Sequence, residues 1–207
     1  MPGNKPLAYP GNEIYLYDGG LAGFYCCVYE SVYARTIPAD IISRADAQPT
    51  LLEQTEIQTD AKKAHRVRDS IHEKISPRAL ELVETVFLSC MQQKEIYMLR
   101  FLLLAYQTGP KLMHNLVHPD VAPLLEAERH LLGERHLLLG FVRFADYVGV
   151  LAATITPKNF VLPFIAPHFI GRYSNEDFMI FDKAHKAALV YERRQANIIP
   201  LDHVEFP

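Results

Sequence analysis

A long stretch with helical periodicity lies between two stretches with strand-like patterns, and this order limits the possible fold most. Between residues 60 and 140 apolar side chains recur every three or four positions, as in Leu80, Val83 and Phe87. The segments on either side contain short runs of branched and aromatic residues bounded by glycine and proline. This order predicts an α+β fold and argues against a doubly wound parallel sheet.

The length of 207 residues is that of one large domain, so we expect a single α+β domain over residues 1–207. Within it, residues 13–59 are predicted to form a strand-helix-strand unit and residues 60–140 a block of helices. Residues 141–207 are predicted to form a ββαββ region.

The first region begins with a predicted strand at residues 14–17, which ends at Asp18-Gly19-Gly20 and leads into a helix over residues 21–35. A partly exposed strand is predicted over residues 51–59. A glycine turn between a strand and a helix can bind phosphate, but the charge of Asp18 would repel it. We therefore interpret this turn as structural.

Four helices are predicted in the central block. The first covers residues 60–75 with Asp60 as its N-cap, and Ser76-Pro77 is typical of the start of the second. A third covers residues 95–107 and a fourth residues 120–139. The positions of the fourth that are predicted to face inward are Val121, Leu124, Leu125, Leu132 and Leu139.

The last region is predicted to contain two hairpins around a helix. Strands at residues 141–147 and 150–156 are joined by Val148-Gly149, and strand alternation would place Phe141 and Arg143 on the same face. A helix follows over residues 160–172. The second hairpin then pairs residues 178–181 with residues 187–192.

Charge is distributed unevenly along the chain. The formal net charge of −3 excludes a protein that coats DNA by bulk charge, and a composition of 49% hydrophobic and 22% charged residues excludes disorder. Residues 61–119 nevertheless contain nine Lys/Arg against five Asp/Glu, and residues 129–194 contain nine against six. Residues 1–60 contain three against eight. A local basic face is therefore expected in the two later segments.

The candidate nucleic-acid contacts are basic residues of those two segments. A cationic side chain on a helix or hairpin can neutralise a backbone phosphate. One alternative is a solvated surface on which Arg172 pairs with Asp182, and another is an enzyme with His168 as acid or base and an arginine on phosphate. The candidates are Lys62, Lys63, Arg66, Arg143, His168 and Arg172.

No strong catalytic signature occurs in the sequence, so the catalytic residues stay unknown and a binding role is favoured over an enzyme. Neither a glycine-rich nucleotide loop nor a zinc-protease or nucleophile-elbow motif is present. The spacing of the histidines predicts no metal site, and three cysteines without cluster spacing predict no cofactor.

The cysteines and the apolar runs also bear on location. Cys26, Cys27 and Cys90 cannot form a disulfide framework, and we expect them to be small buried core residues in a reducing compartment. No signal peptide and no apolar run of membrane-spanning length is evident. The sequence thus predicts a cytoplasmic protein without a membrane partner.

Several segments in order resemble a known bacterial family. The opening Tyr17-Asp18-Gly19-Gly20-Leu21 resembles the family's N-terminal strand and helix, and Gly140-Phe141-Val142-Arg143-Phe144 resembles a later block. The match is sharpest at Val161-Leu162-Pro163 and Ala166-Pro167-His168-Phe169, followed by Arg172. The family is that of radical-SAM-associated DNA metabolism and repair proteins, which are built on a domain of unknown function.

This resemblance implies a DNA-repair accessory protein that acts with a radical SAM partner, through contact with DNA, with the partner or with both. Some relatives are joined to a uracil-DNA glycosylase-like domain. It implies no catalytic residues. Many relatives have Ser or Thr and then Phe where this chain has Gly20-Leu21, which argues against a catalytic hydroxyl at that place. A purely structural assembly adaptor is the remaining alternative.

Overall fold

The computed structural model describes residues 8–147 and 149–204, and these form two compact units. The first unit contains residues 8–87 and 91–128, and the second contains residues 88–90 together with the chain from residue 129 onward. Helices and strands are mixed in both, so the predicted α+β class is confirmed.

The first unit contains five strands and four complete helices, together with the first residues of a fifth helix, α5 (Ala122–Phe141). The strands are β1 (Tyr9–Pro10), β2 (Glu13–Tyr17), β3 (Thr36–Ile37), β4 (Asp40–Ser43) and β5 (Glu53–Glu56). The helices are α1 (Leu21–Ala34), α2 (Ala61–Lys74), α3 (Pro77–Phe87) and α4 (Lys94–Thr108), and Gly109–His114 forms a 3₁₀ helix.

A three-stranded parallel sheet lies at the start of this unit, with β2 between β4 and β5. The prediction missed β4, which has only four residues and thus too little pattern to distinguish it from a loop. The strand predicted over residues 51–59 is shorter than expected, because β5 has partners on β2 only from Glu13 to Leu16.

The helix starts follow the predicted capping chemistry. Asp60 accepts hydrogen bonds from the backbone N–H groups of Lys62 and Lys63, at 2.7 and 3.0 Å. These bonds lower the pKa of Asp60. Ser76 Oγ accepts the N–H of Ala79 at 3.1 Å and so caps α3. The four predicted helices are therefore confirmed, with bounds shifted by one or two residues.

The core of the first unit is formed by α1 to α4 and the central strand. Cys26 and Cys27 are fully buried in it, as predicted, and burial is the main cause that raises the pKa of Cys27 above its usual range. Cys90 differs, because its side chain is exposed, so its predicted burial is wrong.

The second unit contains a five-stranded sheet with one helix between parallel neighbours. Its elements, after the last part of α5, are β6 (Ala145–Tyr147), β7 (Val150–Ile155), α6 (Leu162–Arg172), β8 (Asp177–Asp182), β9 (Ala187–Glu192) and β10 (Gln195–Pro200). The strand order is β10-β9-β8-β7-β6, and only β7 and β8 are parallel. A final strand, β10, extends the predicted ββαββ pattern to ββαβββ.

Two predictions around α5 are wrong. Phe141 is the last residue of the helix rather than the first of a strand, so Phe141 and Arg143 do not alternate on one strand face. Leu132 is exposed rather than inward, because the inward face of α5 there is taken by Leu131. The connection from β6 to β7 was predicted at Val148-Gly149, of which Val148 lies outside the described residues.

Within the described part of the chain, none of the helices combines the length and the apolar character needed to cross a membrane. The same residues contain no group of three or more His, Cys, Asp or Glu side chains placed to hold a metal ion.

Candidate nucleic-acid interface

A groove of about 370 Å³ lies in the first unit where α1 packs beside α2. Its volume is at the lower end of the range for small-molecule sites. Its lining contains apolar side chains, a pair of tyrosines, two further residues with hydroxyl groups and two cations. The lining residues are Val28, Tyr29, Val32, Tyr33, Arg66, Val67, Ser70, Lys74 and Tyr106.

Two tyrosines one helical turn apart on α1 form the aromatic part of the groove. The rings of Tyr29 and Tyr33 are stacked, with centroids 4.2 Å apart and planes inclined by 20°. The neighbouring Tyr33 hydroxyl is the main cause that raises the pKa of Tyr29. The stacking holds the two rings together as one pair.

Basic residues of α2 lie beside this tyrosine pair. The guanidinium carbon of Arg66 is 6.0 Å from the ring centroid of Tyr29 and 5.8 Å from that of Tyr33, which is cation–π distance. Since these two distances are nearly equal, the guanidinium lies beside the stack and not over the outer face of Tyr33. Lys63 Nζ is 5.1 Å from the Tyr29 centroid and 2.6 Å from Glu30 Oε1. The bond to Glu30 is the main cause that raises the pKa of Lys63.

Three of the cations on α2 have no carboxylate partner within residues 8–147 and 149–204. Among the residues that the structure describes, no ion pair includes Lys62, Arg66 or Lys74, whereas Lys63 pairs with Glu30 and Arg68 pairs with Glu84. Lys62 and Arg66 are both exposed and lie one helical turn apart. The predicted residues Lys62, Lys63 and Arg66 therefore share one helix, and only Arg66 lines the groove itself.

Two hydrogen-bonded hydroxyl groups, those of Ser70 and Tyr106, add polar character to the groove. Ser70 Oγ is 2.6 Å from the hydroxyl oxygen of Tyr106 and 2.8 Å from the carbonyl oxygen of Val67. Since Ser70 donates its one proton to that carbonyl, the Tyr106 hydroxyl donates to Ser70. Burial raises the pKa of Tyr106, so this phenol stays neutral and keeps its proton.

The predicted site residues of the second unit lie on different parts of that unit, with Arg143 just after α5 and His168 and Arg172 on α6. Arg143 lines a shallow groove of about 540 Å³ with Glu134 and Phe141, and its guanidinium contacts the carbonyl of Gly140 at 3.4 Å near the end of α5. His168 and Arg172 lie four residues apart on the exposed surface of α6 and do not line that groove. The guanidinium carbon of Arg172 is 5.6 Å from the ring centroid of Tyr173.

Asp182 is not the partner of Arg172. It is fully buried, and its Oδ1 accepts the N–H groups of Ala184 and His185, while its Oδ2 lies 2.7 Å from His185 Nδ1. Both carboxylate oxygens are thus used within the β8–β9 turn. The alternative in which an Arg172–Asp182 pair holds the helix to the hairpin is therefore wrong.

A buried polar centre lies elsewhere in the second unit, around Asn159, whose side chain has no exposed surface. Its Oδ1 accepts the N–H of Cys90 at 2.9 Å, and its Nδ2 donates to Glu134 at 2.7 Å and lies 3.1 Å from His130 Nδ1. Glu134 also accepts the N–H groups of Lys158 and Asn159, both at 2.8 Å. Burial by itself would raise the pKa of Glu134, but these donors outweigh it and lower the pKa.

The glycine turn before α1 is held by its own residues. Asp18 accepts the N–H of Gly20 at 2.8 Å and the hydroxyl of Thr59 at 2.6 Å. The bond from Thr59 is the largest cause that lowers the pKa of Asp18. A Cβ at Gly23 would lie 2.2 Å from Asp18 Oδ1, so only glycine permits this approach. The geometry supports our interpretation of the turn as structural.

Sequence reasoning missed the aromatic half of the groove. Tyr29 and Tyr33 are four residues apart beside the predicted inward positions Val28 and Val32. This spacing places two tyrosines along one edge of the helix, and that was a usable signal. The proximity of Tyr106 was not foreseeable, because Tyr106 lies more than seventy positions along the chain from Tyr33.

A comparison with protein families identifies a family that the chain matches. The chain matches the domain of unknown function DUF4130 over residues 92–205, which is more than half of its length. No curated protein matches the chain. The matched range contains α4, α5 and the strands of the second unit, whereas α1 and α2 precede it. The chain therefore belongs to the DUF4130 family.

Proposed function

We propose that this protein is a cytoplasmic accessory factor in DNA repair that acts beside a radical SAM partner and binds DNA through the groove between α1 and α2. The part played by the partner and the repair pathway follow from the family resemblance in the sequence. The DNA contact is argued from the groove. In this proposal the partner supplies the chemistry, and this chain supplies binding.

The observation that carries the proposal is the set of unpaired cations on α2. The helix contains five Lys/Arg and two Asp/Glu, and Lys62, Arg66 and Lys74 have no carboxylate partner in the described part of the chain. A cation that is already paired gains little from a phosphate, because it must first give up its partner. A cation without one can release the counterions of DNA directly. These three residues are therefore the strongest phosphate contacts.

The second unit provides a weaker contribution. Arg143, His168 and Arg172 are exposed, so a bound strand can reach them, but they are spread over a helix end and a separate helix. Their charge would add long-range attraction rather than a shaped site. We assign the groove the main contact and these three residues a supporting one.

The test is DNA binding by the purified protein over a series of salt concentrations, alone and with a radical SAM partner. Binding by the protein alone that weakens linearly with the logarithm of salt concentration would support a direct phosphate contact. Binding that requires the partner would make this chain an adaptor. Binding in neither case would contradict the proposal.

The groove is tested in the same assay with Arg66→Ala. The expected result is weaker binding and a smaller salt slope, by about 0.7 to 0.9 for one lost phosphate contact. Arg100→Ala is the matched control, because Arg100 is also an exposed arginine on a helix of the first unit. Equal effects of the two substitutions would show that only overall charge matters and that the groove is not the contact.

A further inference from the structure

We infer that the groove between α1 and α2 binds an unpaired base of single-stranded DNA, which stacks on Tyr33. This inference rests on the proposed function and names the form of nucleic acid that the groove accepts.

Tyr33 offers a ring face to a ligand. Its side chain is 57% exposed, although one ring face is covered by Tyr29 at 4.2 Å. The exposed part therefore includes ring surface on the other side. The ring is also fixed in place by its stack on Tyr29. A fixed aromatic surface binds a base with little loss of side-chain entropy.

The cations around the tyrosine pair fit the phosphates of the same strand. Arg66 lies beside the two stacked rings, and Lys74 lies two turns further along α2, at roughly 12 Å along the helix axis. A short single strand can contact both cations while one of its bases lies against the ring. Aromatic rings interleaved with cations are the usual composition of such binding surfaces.

Duplex DNA cannot make the same contact. In a duplex the base faces are stacked on their neighbours, so a side chain on a helix surface reaches only base edges and phosphates. Tyr33 presents a ring face beside a groove of about 370 Å³, which has room for one base. The structure therefore favours single strands over duplex.

The two hydroxyl groups of Ser70 and Tyr106 predict a weak preference for particular DNA sequences. Hydroxyl oxygens, such as those of Ser70 and Tyr106, can donate or accept, so they suit the edges of several bases. Stacking also tolerates any base, because every base has a π face. We expect preferences among the four bases to be small.

The experiment compares three ligands of defined chemistry by fluorescence anisotropy: an oligothymidylate, an abasic strand of the same length, and a duplex. The abasic strand keeps the phosphates and lacks the bases. We expect Tyr33→Ala to weaken oligothymidylate binding roughly 5- to 150-fold and to leave binding of the abasic strand unchanged. Tyr33→Phe should retain the wild-type affinity, because it keeps the aromatic ring.

A matched control and a direct probe are available in the chain. Tyr9 is 55% exposed and does not line the groove, so Tyr9→Ala should leave binding unchanged. The sequence contains no tryptophan, so Tyr33→Trp introduces a single indole at the site. Its fluorescence should be quenched by oligothymidylate and unaffected by the abasic strand.

The possible failures are distinguishable. If wild-type protein binds the oligothymidylate and the abasic strand equally, with the same salt slope, the inference is overturned while the proposed phosphate contact stands. If it binds none of the ligands at any salt concentration, the proposed function fails as well. Tighter binding of duplex than of single strand, or of oligouridylate than of oligothymidylate, would overturn the assignment to single-stranded DNA.

Discussion

The groove between α1 and α2 and the polar centre around Asn159 use polar side chains in opposite ways. In the polar centre the amide of Asn159 contacts Cys90, Glu134 and His130, and Asn159 has no exposed surface. In the groove, Arg66 and Lys74 have no carboxylate partner among the described residues. One set of residues is saturated by the protein itself, and the other is open to a ligand.

This difference shows why charge counts alone do not locate a site. The segment with Lys158 and the segment with Arg66 are both basic in the sequence. What separates them is the number of hydrogen bonds and ion pairs that the fold already provides. A polar group that the fold satisfies stabilises the structure, and one that the fold leaves open is available for binding. The predictions below test that distinction.

The largest effect is expected for Asn159→Ala. The substitution leaves the N–H of Cys90 without its acceptor and Glu134 without one of its donors. The free energy of unfolding should fall by roughly 3 kcal/mol, because a fully buried side chain is truncated and several polar groups lose partners at once. Urea unfolding followed by circular dichroism measures it.

The control for this substitution is Asn197→Ala, which removes an exposed asparagine from β10. It should change the free energy of unfolding by less than about 0.5 kcal/mol. DNA binding should be unaffected by both substitutions under conditions where the proteins are folded. A loss below about 1 kcal/mol for Asn159→Ala would contradict the view that this centre holds the fold.

The double substitution Arg66→Ala with Lys74→Ala should have the opposite pattern of effects: it should weaken DNA binding and have little effect on stability. We expect the salt slope for single-stranded DNA to decrease by about 1.4, because two phosphate contacts are removed. The free energy of unfolding should fall by no more than about 1 kcal/mol, since neither cation has an ion-pair partner among the described residues and the substitution removes only exposed cation–π contacts of Arg66.

A second pair of exposed cations in the first unit serves as the control for that variant. Arg100→Ala with Lys111→Ala makes the same change in net charge outside the groove. It should leave the salt slope close to that of the wild-type protein. If this pair reduces the slope as much as the groove pair does, the DNA contact is spread over the surface and the distinction between the two regions fails.

Local chemistry accounts for what the sequence predicted well. Asp60 and Ser76 are helix caps that act on residues two or three positions away, so their roles are readable without the fold. The contact between Asn159 and Cys90 joins residues 69 positions apart, and no local pattern indicates it. A pair of Arg172 with Asp182 was one alternative that the sequence left open, whereas the partners of Asp182 lie in its own turn.

In the groove, too, the sequence indicated only what local patterns determine. Lys62, Lys63 and Arg66 were recognisable as a basic helix, because helical spacing alone places them on neighbouring positions. The position of Arg66 beside two stacked tyrosines depends on how α1 packs against α2, which tertiary contacts determine. Sequence thus predicted the cations of the site and missed its aromatic surface.

A pH series tests the saturated character of the polar centre. Hydrogen-bond donors hold the folded-state pKa of Glu134 below the ordinary value of 4.5. Its ionised form therefore stabilises the fold above that value, and this contribution is lost as the pH falls through the lower folded-state pKa. Glu134→Gln should remove this part of the acid sensitivity. Urea midpoints from about pH 6 to about pH 3 measure it, and parallel profiles for the two proteins would contradict the assignment.

The smallest effect is expected for Arg143→Ala with Arg172→Ala in the second unit. Arg143 follows the end of α5 and Arg172 lies on α6, and Arg172 does not line the groove that Arg143 lines. DNA affinity should weaken and the salt slope should flatten, but by less than for the groove pair. Salt-dependent anisotropy with the same oligothymidylate compares the two double variants directly. If the second-unit pair has the larger effect, the main DNA contact lies in the second unit and not in the groove, and the distinction between saturated and open polar groups does not locate the site in this protein.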